Sequence, residues 1–202
     1  MILAVLLIAV QVAAQDPRLD RLDPDTRAQV TAVVDSARLA GLPAEPLIQR
    51  ALEGATKGAP GPRIVTAVRR LSVDLGTARA ALGDGASVPE LEAGVAALRA
   101  GATPQVLANL HSVRRPPLTM ALSVLADLVA SGVPADSAAV AVLALAPKAR
   151  DADLVEFLRA VERDIALGAP PAAATSIRVN AGADVLNAAG PPPPGPALPR
   201  RP

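Results

Sequence analysis

Apolar residues recur along this chain at steps of three and four, in blocks separated by glycine and proline. The stretch Gly41–Leu71, GLPAEPLIQRALEGATKGAPGPRIVTAVRRL, sets the pattern with two amphipathic helices, each opened by proline and closed by glycine. Glycine just past a helix takes up the left-handed conformation other residues avoid, and proline in a first helical turn loses no hydrogen bond. The same short punctuation recurs as Gly41-Leu42-Pro43, Gly58-Ala59-Pro60, Gly101-Ala102-Thr103-Pro104, Gly132-Val133-Pro134 and Gly168-Ala169-Pro170. Links this short favour helices that fold back on their neighbours.

The periodicity predicts eight or nine helices. The first opens at Asp23-Pro24-Asp25, with Asp23 as cap, and carries Val30, Val33, Val34 and Ala37. A second runs from about Pro43 to Lys57 around Leu47, Ile48, Ala51, Leu52 and Ala55. The third has the most sustained stripe: Ile64, Val68, Leu71, Leu75, Ala78 and Leu82, with Arg63, Arg69, Arg70, Asp74 and Arg79 excluded from it. Ser87-Val88-Pro89-Glu90 reads as a capping box opening a fourth helix with Leu91, Val95 and Leu98. Thr103-Pro104 starts a short fifth with Val106, Leu107 and Leu110. Pro116-Pro117 begins a sixth around Leu118, Ala121, Leu122, Leu125, Leu128 and Val129. A very apolar seventh runs from Pro134 to Pro147 with Val140, Val142, Leu143 and Leu145. An eighth spans Asp151–Leu167 around Leu154, Leu158, Val161 and Ile165, with Phe157 beside them. A weaker ninth follows Pro170-Pro171 through Ile177 and Val179, and the pattern fades beyond Gly182.

The expected fold is therefore all-α, a compact irregular array of short-linked antiparallel helices. An α-solenoid-like superhelix is the alternative, although no tetratricopeptide, ankyrin or leucine-rich signature is present. Residues 24–182 are expected to form a single helical domain, after a flexible lead-in at 15–23. Residues 183–202 are expected to be a disordered Pro-rich tail, since GPPPPGPALPRRP favours an extended polyproline conformation.

Composition narrows the chemistry. The chain is 51% hydrophobic, much of it alanine, and Phe157 is its sole aromatic residue, so the core must be built from Leu, Val, Ile and Ala. With a net charge of +1, long-range steering of nucleic acid is not expected. The absence of cysteine excludes disulfides, thiolate metal sites and a cysteine nucleophile. MILAVLLIAV followed by Val12-Ala13-Ala14 reads as a signal peptide, residues 1–14, although no Lys or Arg precedes the apolar run. The run is shorter than the roughly 20 residues that span a bilayer. The chain is thus expected to be exported, periplasmic or extracellular, without a stable transmembrane span after cleavage.

Candidate binding residues are few. Arg69 and Arg70, with Arg63 and Arg79, form a cationic strip able to meet acidic polymer or head groups; such arginines also serve as an ordinary solvated helix face. His111, the lone histidine, stands with Arg114 and Arg115 at a helix end where an anionic group could bind, or where a polar residue simply closes the helix. No metal site and no cofactor are expected, because a single histidine without cysteine does not make a zinc site. Gly54-Ala55-Thr56-Lys57-Gly58 lacks the Gly-Lys-Ser/Thr ending of a phosphate loop. The aspartates at 16, 20, 23 and 25 do not follow calcium-loop spacing. No serine sits in a Gly-x-Ser-x-Gly elbow.

DPRLDRLDPDTR, GLPAEPLIQRALEGATKGAP and the GVPAD and GAPPAAA turns, within residues 16–175, resemble exported, Ala/Arg-rich all-helical proteins of GC-rich Gram-negative bacteria. That group has no known activity, so the resemblance implies fold and compartment only. The expectation is a non-enzymatic envelope protein acting through contacts with an unidentified envelope partner. The alternative is a carrier holding a lipid or other apolar ligand between helices.

Overall fold

The computed structural model describes residues 16–188, so the signal-peptide region 1–14 and the Pro-rich end from residue 189 lie outside the described residues. The described chain is all-α. After an N-terminal 3-10 turn, Pro17–Arg21, come α1 (Pro24–Leu39), α2 (Glu45–Thr56), α3 (Gly61–Leu82), α4 (Val88–Ala100) and α5 (Pro104–Val113). Then follow α6 (Thr119–Ala130), α7 (Ala135–Leu145), α8 (Asp151–Ala166) and α9 (Pro171–Ala188). The sequence reading joins residues 24–182 in one domain; the helices form two compact units whose boundary falls within α3, between Val73 and Asp74.

The helix ends follow the glycine punctuation. Gly41, Gly58, Gly101, Gly132 and Gly168 all have positive φ, between 64° and 112°. At each, the following residue donates back to a carbonyl five positions earlier, as Leu42 N–H does to Ala37 (2.9 Å) and Val133 N–H to Leu128 (3.0 Å). These Schellman ends satisfy carbonyls that would otherwise be left open. At the other ends, Asp23 accepts from Thr26 N–H at 3.0 Å and Thr103 from Val106 N–H at 3.4 Å.

In the first unit, α1 and α2 pack on each other and on the 3-10 turn. Their core contains Val30, Val34, Ala37, Leu47, Ile48 and Ala51, with Ile64, Val65, Val68 and Leu71 buried on α3. Residues 17–21 differ from the flexible lead-in expected. Leu19 and Leu22 are buried, and Arg18 bridges Asp16 and Glu45. Hydrogen bonds from Arg18 hold the carboxyls of Asp16 and Glu45 down at about 2. Two leucines three residues apart suffice to dock a turn, yet are too short a run to show periodicity.

Gly61 sits where α3 begins beside the start of α1. A Cβ there would collide with Thr26 Oγ1 and lie 3.2 Å from Asp23 Oδ2.

In the second unit α6 is central, packing on α4, α7 and α8, while α9 lies against both α7 and α8. Ala121, Leu122, Val124, Leu125 and Leu128 of α6 are all buried, which accounts for a helix apolar nearly all round. Gly94 lets α4 approach closely: a Cβ there would be 3.1 Å from Leu82 Cδ1 and 3.3 Å from Ala78 Cβ. The ninth helix continues to Ala188, beyond Gly182 where the apolar pattern fades, so residues 183–188 are helical and not part of a disordered tail. No proline interrupts ADVLNA, and its alanines and leucine favour helix.

Candidate functional site

Two connections in the second unit are tied by polar side chains, one buried and one half-buried. Glu90, only 4% exposed, does more than complete its capping box. Its Oε2 accepts from Ser87 N–H (2.8 Å) and Ser87 Oγ–H (2.7 Å), while Oε1 accepts from Leu118 N–H (2.8 Å) at the start of α6. Burial alone would raise this carboxyl. The hydrogen bonds from Ser87 and Leu118, with the positive field of His111, outweigh it and hold the group below its ordinary value.

Arg114, whose side chain is 12% exposed, faces the α7–α8 connection. Its Nη1 donates to the carbonyls of Ala146 (2.9 Å) and Ala149 (2.5 Å), and its Nη2 to Asp151 Oδ1 (2.5 Å). A cation is favourable against carbonyls at a helix C-terminus. Arg114 is thereby engaged within the fold, leaving His111 and Arg115 as the exposed members of the predicted group. The His111 ring lies near Gly83, where an added Cβ would be 3.9 Å from Nε2.

In the first unit Arg69 and Arg70 are both exposed on α3. Arg69 donates to Gln29 Oε1 of α1 at 3.2 Å. Arg79, grouped with them in the sequence, belongs to the second unit and donates to the carbonyls of Asp84 and Ala86 beyond the end of α3.

Open grooves were not visible in the sequence. One, of about 370 Å³, runs between α7 and α9 and is lined by Val140, Ala141, Ala172 and Val179 with Asp136 and Ser176. Another, of about 320 Å³, borders α8 and α9 and is lined by Leu145, Phe157, Ala160 and Gly182, with Glu156 and Arg178 among its polar groups. Arg178 is held there by a two-pronged pair with Asp164, at 2.6 and 2.7 Å. A third, of about 160 Å³, lies between α2 and α3 in the first unit. Its apolar lining includes Gly54, Ile64 and Ala67, with Arg50, Lys57 and Arg63 around it.

Among the described residues, no group of three or more His, Asp or Glu is placed to hold a metal ion. No described helix is long and apolar enough to cross a membrane. No family model, curated protein or solved structure matches the chain.

Proposed function

We propose that this is a non-enzymatic helical protein, exported to the periplasm or cell envelope, that acts by binding another envelope protein. The export element of the reading rests on the apolar N-terminal run and the small residues after it. The observation supporting a binding role is the apolar surplus that α7 and α9 leave outside. Val140 is 68% exposed beside the α7–α9 groove, and Ile177 of α9 is 63% exposed. Apolar surface contiguous with a groove marks an interaction site more than scattered single residues do. The α6 helix, of similar composition, leaves no large apolar side chain exposed, whereas α7 buries Ala138, Ala139, Ala141, Val142 and Leu145 but leaves Val140 outside.

The test is in vivo photo-crosslinking from Val140 and Ile177, with fractionation of the same cells. A discrete crosslinked envelope protein, lost on Val140→Asp, is the expected result. Recovery of the uncleaved chain from the cytosol would refute the compartment, and crosslinks no different from those at exposed Arg159 would refute the surface. A second reading, carriage of an apolar ligand, draws on the α8–α9 groove with its Phe157 and Leu145 lining. It requires a copurifying lipid by mass spectrometry that is lost on Ala160→Glu.

A further inference from the structure

The first unit carries a second surface of different chemistry. The notch between α2 and α3 is apolar in the middle: Gly54, Ile64 and Ala67 offer no side-chain hydrogen-bond donor. It is narrow because α3 approaches α2 closely; a Cβ on Gly54 would lie 2.8 Å from Ile64 Cγ1. Around it stand Arg50, Lys57 and Arg63, with Glu53 as the carboxylate in the lining. Glu53 pairs with both Lys57 (2.6 Å) and Arg50 (3.0 Å), so one negative charge is shared between two cations. Arg63 is exposed and has no ion-pair partner among the described residues.

The same holds for Arg70. Arg63, Ala67 and Arg70 fall at i, i+4 and i+7, hence on one stripe of α3. The two guanidiniums are carried about 10 Å apart along the axis, with Ala67 between them. Three cations therefore border an apolar notch against a single carboxylate, with Arg70 farther along the same stripe of α3, in a chain whose whole net charge is only +1. The positive charge is local, and two of its bearers are uncompensated.

We propose that this notch docks an acidic amphipathic segment of a partner protein: one aliphatic side chain seated between α2 and α3, flanked by carboxylates that meet Arg63 and Arg70. The proposal deepens the reading of the chain as a protein-binding module and assigns a second contact surface to it. A recessed apolar floor receives a side chain. An anionic membrane would be met by apolar groups that protrude, and a nucleic acid would find no hydrogen-bonding side chain on the floor. Complementary charge at an interface of this kind sets specificity and association rate, and is salt-sensitive.

The probe is a synthetic Ala-rich helical peptide with two glutamates at i and i+7 and a leucine between them, titrated by fluorescence anisotropy into the mature protein. It should bind, and weaken at least about tenfold on Arg63→Glu/Arg70→Glu and on raising salt to about 1 M, where charges are screened within about 3 Å. Both arginines are exposed, so unchanged circular dichroism in the double variant is expected. Replacing the peptide's leucine by alanine, or its glutamates by glutamine, should each weaken binding about fivefold or more. Equal binding of the leucine-free peptide, or indifference to the double substitution, overturns the proposal. So does failure of the peptide to bind while phosphatidylglycerol vesicles bind in an Arg63- and Arg70-dependent way, which would assign the patch to lipid. This titration needs neither export nor the α7–α9 surface, so its failure leaves the crosslinking result standing, and the reverse is equally true.

Discussion

Replacing Glu90 by glutamine tests the polar node most directly. The carboxylate accepts from Ser87 N–H, Ser87 Oγ–H and Leu118 N–H while 4% exposed. A glutamine of the same shape has one accepting oxygen. Its NH₂ must face either the Leu118 N–H or the Ser87 donors, setting donor against donor. One buried N–H left without an acceptor costs about 1–3 kcal/mol. The weakened capping box adds about 1 kcal/mol. The expected loss is therefore roughly 2–4 kcal/mol, read as a lower urea midpoint by far-UV circular dichroism. Glu92→Gln, at an exposed position two residues on, should stay within about 0.5 kcal/mol. The loss should also depend on pH. The folded-state pKa of Glu90 is depressed below its ordinary 4.5, so its contribution is present above that value and disappears as pH falls through the folded pKa. The gap between wild type and Glu90→Gln must then narrow in acid. Equal midpoints for the Glu90 and Glu92 variants, or a gap unchanged in acid, would refute the reasoning.

Other substitutions separate fold from surface. Arg114→Ala should cost roughly 2–3 kcal/mol in thermal or urea denaturation, because charged hydrogen bonds to two carbonyls and Asp151 are lost; Arg115→Ala should be near neutral. Gly61→Ala should be destabilising by about 1–3 kcal/mol through its collision with Thr26, despite the better helix propensity of alanine, whereas Gly85→Ala, with open space around it, should change little. Leu71→Ala should cost about 2–5 kcal/mol, since Leu71 is buried, against less than about 0.5 kcal/mol for the exposed Arg70→Ala; comparable losses would show that Arg70 carries structural load.

What could be read from the sequence was local. The five Gly-x-Pro-type links predicted Schellman ends, and each closes with its hydrogen bond, because glycine at positive φ and the carbonyls it satisfies lie within six residues of one another. The α3 stripe from Ile64 to Leu82 was legible for the same reason: helical spacing alone places those six side chains on one face, and all are buried. The Ser87–Glu90 capping box likewise spans only three residues. Tertiary structure decided the rest. The second Glu90 bond reaches Leu118, 28 residues away, and Arg114 reaches Ala146, 32 residues away. No spacing rule foretells such partners, since they depend on which helix ends packing brings together. Nor did apolarity say which side of α7 would be covered. Val142 is buried and Val140 is exposed, although both are equally hydrophobic, because α6 and α9 take up only part of that helix's surface. The candidate grooves arise in the same way: their residues are ordinary alanines, valines and arginines in sequence, and become a surface only where two helices leave space between them.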